Sequence, residues 1–256
     1  MIANRAYRDM DNVFDSKSTN PLENRPSNWR YSIFPDDFTS LYRQHNKKAY
    51  GIDLTIAQEY NVDNWLDPKS QYFKPEVHSA VFKYIARTEV GERVQVCIAN
   101  GEMRRAAWKY CHERQLVLDG TFGVATSRLL LWIALAINER GEGVPVALFL
   151  FSAPTGNKAS HAGYNTDILA ELLTYWRDWL NDVAPPKASF SPCAAITDTD
   201  VKERGALVRV WPSIILLLCT FHVRQCWTNK RHSLLGKENA LERNHIEKRL
   251  QNLEYT

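Results

Sequence analysis

The spacing of apolar positions changes along this chain, and the changes mark out its elements. Residues 1 to about 70 are mostly polar with interspersed aromatics, and stretches such as 15–21 and 24–28, rich in Ser, Asn and Pro, read as loop. Over residues 75–86, Val77, Ala80, Val81 and Tyr84 recur at helical spacing and predict a short helix. Residues 92–99 alternate polar and apolar, which predicts a strand, and residues 103–113 read as a helix. No internal repeat is visible at any period.

From residue 115 the pattern sharpens. Residues 115–120 are a short apolar strand ending in Asp119 and Gly120. Leu129–Ile137 is a second, a polar turn follows at 138–143, and residues 144–151 are a third. Their short connections favour antiparallel pairing. Thr166–Asn181 predicts a long helix, with Ile168, Leu169, Leu172, Leu173, Trp176, Trp179 and Leu180 on one stripe and Pro185-Pro186 blocking its continuation. Residues 194–198 form a fourth strand, again ending in an aspartate, Asp198. A short helix at Val201–Val210, a fifth strand at 214–219, a basic helix from about 221 to 235 and a charged helical tail at 237–253 complete the chain.

The order is β-β-β-α-β-α-β-α. Strand–helix–strand units call for right-handed crossovers and parallel pairing. The expected fold class is therefore α/β: a mixed five-stranded sheet, its first three strands a meander, with helices packed on its faces. It would occupy residues 111–256, after an α/β or irregular lead-in over 1–110. RNase H-like folds have the same element order.

Composition narrows the class. With 256 residues, 45% hydrophobic and 24% charged, the chain can bury a sizeable core and is no disordered polymer. Its longest apolar run, Leu129–Ile137, is about half of the ~20 residues that span a bilayer, so no transmembrane helix or membrane partner is expected. The first residues, Met1 to Arg5, open no apolar leader. A net charge of +3 is compatible with nucleic acid without arguing for it. The five cysteines, odd in number and irregularly spaced, are expected to be reduced.

Asp119 and Asp198 are the main candidates for chemistry. If the first and fourth strands are neighbours, the two carboxylates meet at one end of the sheet. They stay ionised together only with a cation between them. Mg²⁺ (or Mn²⁺) suits that place, as a hard ion taking carboxylates, waters and phosphate oxygens. An aspartate at a strand end is also a common turn former, and Asp119-Gly120 is a turn dipeptide. Asp200, at the helix start, reads as a cap and Asp198 as the ligand. Cys219 and His222, with Cys226 and His232 beyond, offer ligands to Zn²⁺, though not at a standard finger spacing. Residues 201–256 carry ten Lys and Arg against five Glu. Among them Arg224, Lys230 and Arg231 share a helix with Trp227, a combination that could grip a phosphate backbone or be a solvated helix face. Ser160 and His161 could belong to a substrate loop, with a capping or surface role the commoner use of such residues. No glycine-rich phosphate loop follows a strand, and no Gly-x-Ser-x-Gly elbow is present.

Five stretches, LVLDGTFGV (116–124), GEGVPVALFLFSAPTGN (141–157), KASHAGYNTDILAELL (158–173), ITDTDVKERGAL (196–207) and LLLCTFHVRQCW (216–227), make the chain resemble the catalytic core of Mutator-like (MULE) transposases of fungal type. The resemblance implies an RNase H-like fold with a DDE triad that uses a divalent metal for DNA strand cleavage and transfer. Implied partners are DNA, as transposon ends and target, and a homo-oligomer; the implied location is the nucleus. It carries the first two acidic residues to Asp119 and Asp198 and the family's Cys-x-x-His element to Cys219 and His222, whose role it leaves unsettled. The family's third acidic residue, a Glu, stands well beyond that element. Only 34 residues follow His222, so it is expected to lie outside this stretch, the chain being a fragment or truncated copy. Glu238 is the best in-chain substitute. Two other classes stay open: an inactive or domesticated DNA-binding derivative, and another RNase H-like nuclease.

Overall fold

The chain divides into two compact units, residues 1–74 and 75–256. The computed structural model describes residues 35–56, 58–86, 92–122, 129–153, 164–184, 188–235 and 240–253. The loops read at 15–21 and 24–28, together with Ser160, His161, Pro185, Pro186 and Glu238, lie outside them.

In the first unit, α1 (Pro35–Tyr50) precedes α2 (Gln58–Leu66). Pro35 opens α1, where a missing N–H costs no helical bond, and Asp36, Asp37, Lys47 and Lys48 match the helix dipole at its two ends. The helix stops at Gly51, whose φ is +70° and where a Cβ would fall 2.3 Å from Tyr72 Cγ. Asn61 closes the connection, accepting from Asp53 N at 2.8 Å and donating to Asp53 O at 3.0 Å.

The second unit is α/β. In chain order it holds α3 (Pro75–Ala80), β1 (Val81–Ile85), β2 (Gln95–Ile98), α4 (Gly101–Tyr110), β3 (Gln115–Phe122), β4 (Leu129–Ile137) and β5 (Gly143–Ser152). Then come α5 (Thr166–Asn181), β6 (Ala194–Thr197), α6 (Val201–Val210), β7 (Ile215–Leu218), α7 (Thr220–Leu235) and α8 (Ala240–Leu253). The strands form one mixed sheet in the order β1-β2-β5-β4-β3-β6-β7. Among the described residues only β3–β6 and β6–β7 are parallel; every other pair is antiparallel. No helix among the described residues is long and apolar enough to cross a membrane.

Two expectations change here. The sheet has seven strands, not five, because β1 and β2 continue it beyond β5. The compact division falls between Lys74 and Pro75. The helix expected over 75–86 ends at Ala80, and the chain extends into β1. Pairing with β2 and the seating of Phe82, stacked 4.9 Å from Trp179 and edge-on to Phe149, override the local period.

The core lies on one face of the sheet. Leu116, Leu118, Leu130, Trp132, Phe149 and Ala195 are buried there in one cluster with Ala107 of α4, the stripe of α5, and Ala206, Leu207 and Val210 of α6. Trp176 is its centre, with Phe190 at 5.2 Å, Phe149 at 6.3 Å and Trp211 at 6.4 Å between ring centroids. Such edge-on contacts add to the burial itself. Residues of the opposite parity, among them Val117, Leu131, Ile133 and Ile196, are only half-buried. Asn100 and Asn165 cap their helices by accepting from Met103 N and Ile168 N, and Asp200, read as a cap in the sequence, accepts from Lys202 N.

Candidate functional site

β3 is the strand where the sheet changes direction. On one side it pairs antiparallel with β4 as far as Phe122, opposite Leu130. On the other it pairs in parallel with β6 only over Gln115, Leu116 and Val117, opposite Ala194, Ala195 and Ile196. In open α/β sheets the crevice outside the carboxyl ends of strands, at such a reversal, is where ligands bind. Asp119 therefore lies inside β3, not at its end as the sequence suggested, but it is past the last residue paired to β6. The same register continued by two residues sets Asp119 level with Asp198, one residue beyond β6. Both have the parity of the half-buried face.

Asp119 leaves half of its side chain exposed, and Asp198 is half-buried. Asp198 Oδ1 accepts from Asp200 N at 2.7 Å, which fixes the carboxylate where the chain leaves β6. Asp200 does what a cap does: Oδ1 accepts from Lys202 N at 2.8 Å. Its Oδ2 accepts from the Tyr164 hydroxyl. Burial, and then Asp200, push the Tyr164 phenol up from its usual range.

α6 adds a carboxyl that the sequence reading passed over. Glu203 is 4% exposed. Its Oε2 accepts from the Thr197 hydroxyl at 2.6 Å. A methyl group on Gly120 would stand 3.4 Å from its Oε1 and 3.6 Å from Trp132 Cδ1. Glu203 thus bonds Thr197, just before Asp198, and lies beside Gly120, just after Asp119, from the helix-covered side. Burial chiefly, and the negative charges of Asp198, Asp200 and Asp119, raise its carboxyl to about 7, against the Thr197 hydrogen bond. A signal for it existed. Glu203, Ala206, Leu207 and Val210 stand at i, i+3, i+4 and i+7, the spacing of a buried stripe.

The Cys-x-x-His element joins the site through one member. His222, in the first turn of α7, brings Nε2 to 3.8 Å from Asp119 Oδ1, and its Nδ1 is buried with no hydrogen-bond partner. Cys219 is half-buried, and Cys226 is exposed; both thiols are free. Among the described residues no group of three or more His, Cys, Asp or Glu side chains is placed to hold a metal ion. The tetrahedral set that zinc requires is therefore not assembled from Cys219, His222, Cys226 and His232. The aspartate pair offers two carboxylates, the number that Mg²⁺ usually takes from a protein.

Arg224, Lys230 and Arg231 all lie on α7, but not on one face. Arg224 and Arg231 are seven residues apart and flank Trp227, whereas Lys230 follows His222 and Cys226 at four-residue steps. Lys230 thus falls on the side of the helix that carries His222.

No protein-family model matches this chain, and no curated protein is significantly similar to it.

Proposed function

We propose that residues 111–256, within the second unit, form an RNase H-like catalytic core of the MULE-transposase type, acting on DNA by metal-dependent strand cleavage and transfer. The observation that carries the reading is the parallel register that sets Asp119 level with Asp198 beside the strand where the sheet reverses. From β3 onward the element order is that of RNase H-like folds. Asp119 and Asp198 are the residues that would hold Mg²⁺ or Mn²⁺. Such an ion, when bound, activates a water or a 3′-hydroxyl and stabilises the leaving oxygen of a phosphodiester. The chain's own groups set the stage for it. Asp198 is fixed by Asp200 N, and Glu203 acts as a positioning residue between Thr197 and Gly120. Lys230 follows His222 two turns on along the same side of α7, and Arg224 and Arg231 offer further cations for phosphates.

The test is calorimetric titration of Mn²⁺ into the full chain. Binding that Asp119→Asn and Asp198→Asn each abolish supports the reading. Binding that survives the double substitution, or no binding at all, overturns it.

A second reading is an inactive DNA-binding derivative. It is favoured by the lack, among the described residues, of a third donor gathered with the two aspartates. Salt-sensitive DNA binding with no nicking in Mg²⁺ or Mn²⁺ would select it.

A further inference from the structure

The two edges of the sheet are built differently. At one, β1 carries Lys83 in its middle and a register shift between Val81 and Lys83. Charge and irregularity of this kind stop an edge strand from pairing with another chain. At the other edge β7 has neither. From Pro212 to Phe221 no residue is charged, and proline stays outside the strand. Ile215, Leu217 and Leu218 are 62%, 43% and 47% exposed.

The backbone of β7 is also half used. Ile215 N and Cys219 N donate inward, to Cys193 O at 2.9 Å and Thr197 O at 2.8 Å. By alternation the N–H and C=O groups of Leu216 and Leu218 point outward, where no strand lies among the described residues.

We propose that β7 is a strand-addition surface whose occupant is β7 of a second copy of this chain, paired antiparallel about a two-fold axis at Leu217. The outward groups choose that register. Leu216 faces the partner's Leu218, and Leu218 faces the partner's Leu216, so every outward donor and acceptor of both strands is bonded. Leu217 then meets the partner's Leu217 as a non-hydrogen-bonded pair, the closer kind, with Cα atoms ~4.5 Å apart. Ile215 meets the partner's Cys219. Aliphatic groups oppose aliphatic groups, and no charge opposes a like charge. An extended segment of another protein could use the backbone, but nothing on this edge would select its side chains, whereas the strand is complementary to itself. The strand is short, and so the area it covers falls below the ~1,600 Å² of a standard interface, which points to a dimer of roughly micromolar dissociation constant.

Sedimentation equilibrium of the full chain from about 1 to 200 μM tests this. The expected result is a monomer–dimer equilibrium. Leu217→Lys and Leu217→Glu should each weaken it by about ten-fold or more, because like charges meet at the axis. An equimolar mixture of the two variants should regain the dimer, because unlike charges then meet. Since Leu217 is already 43% exposed, both variants should melt close to the wild type, which separates loss of pairing from loss of fold. A wild-type chain that stays monomeric overturns the proposal. So does a dimer that neither variant weakens, or a mixture that restores nothing.

Discussion

The Thr197 hydroxyl donates to Glu203 Oε2 at 2.6 Å, and both residues are buried. The bond ties the last residue of β6 to the first turns of α6, immediately before Asp198. It also favours the ionised form of a carboxyl that burial holds near neutrality, at about 7.

Glu203 should make the fold pH-dependent in a direction opposite to that of most carboxylates. Its folded-state value lies above the ordinary one, so the folded chain holds the proton more tightly than the unfolded chain. Its contribution to stability is then fully present below about pH 4.5 and is lost as pH rises through about 7, by roughly 3 kcal/mol in all. Glu203→Gln should abolish that decline. Urea melts in EDTA at pH 5 and pH 8 check it; equal pH dependence in the two proteins would falsify the assignment.

Removing the donor should hurt more than removing the charge. Thr197→Val leaves Glu203 Oε2 without a hydrogen bond and should cost about 1–3 kcal/mol. The cost should be larger at pH 8 than at pH 5, because the hydroxyl serves the ionised form. Denaturation of the variant at both pH values reads this directly, and a cost that is larger at pH 5 contradicts it.

Asp198 and Asp200 should separate cleanly. Asp200→Ala removes the cap of α6 and the Tyr164 contact, and should lower stability by about 1 kcal/mol. The hydrogen bond to Asp198 comes from the backbone of residue 200, so Mn²⁺ affinity should change little. Asp198→Asn should do the reverse. Paired melting and titration experiments decide, and a large affinity loss in Asp200→Ala would move the ligand role to Asp200.

Trp176→Ala should be among the most damaging single changes in the unit, costing about 3–5 kcal/mol. Trp176 is fully buried and in edge-on contact with Phe149, Phe190 and Trp211. Thermal denaturation followed by far-ultraviolet circular dichroism measures it. A loss under 1 kcal/mol would show that the cluster collapses around the gap.

Elements whose period is sustained were legible before any coordinates. Leu129–Ile137, Thr166–Asn181 and Val201–Val210 have the boundaries that apolar spacing, and for the last the Asp200 cap, marked. The stretch over 75–86 was not, because a six-residue helix passes into a five-residue strand and neither is long enough to establish its own period. That β1 and β2 belong to the main sheet depends on pairing β2 with β5, a contact across some fifty residues that no local pattern encodes. The level placement of Asp119 and Asp198 followed from the topology. Glu203 did not, because a charged residue in a short basic helix reads as solvated until its stripe of Ala206, Leu207 and Val210 is noticed. Glu238 lies outside the described residues and gains no support as a third carboxylate.

The reversal of direction at β3 has a kinetic corollary. β3, β4 and β5 are joined by short links and can zip up early, whereas β6 must first wait for a long excursion through α5. Asp119 is therefore expected to be in place before Asp198 arrives. Under the proposed reading, a nascent chain halted after β5 would display ample ordered backbone yet hold only one of the two carboxylates, so divalent-ion binding would serve as a built-in reporter that maturation is finished.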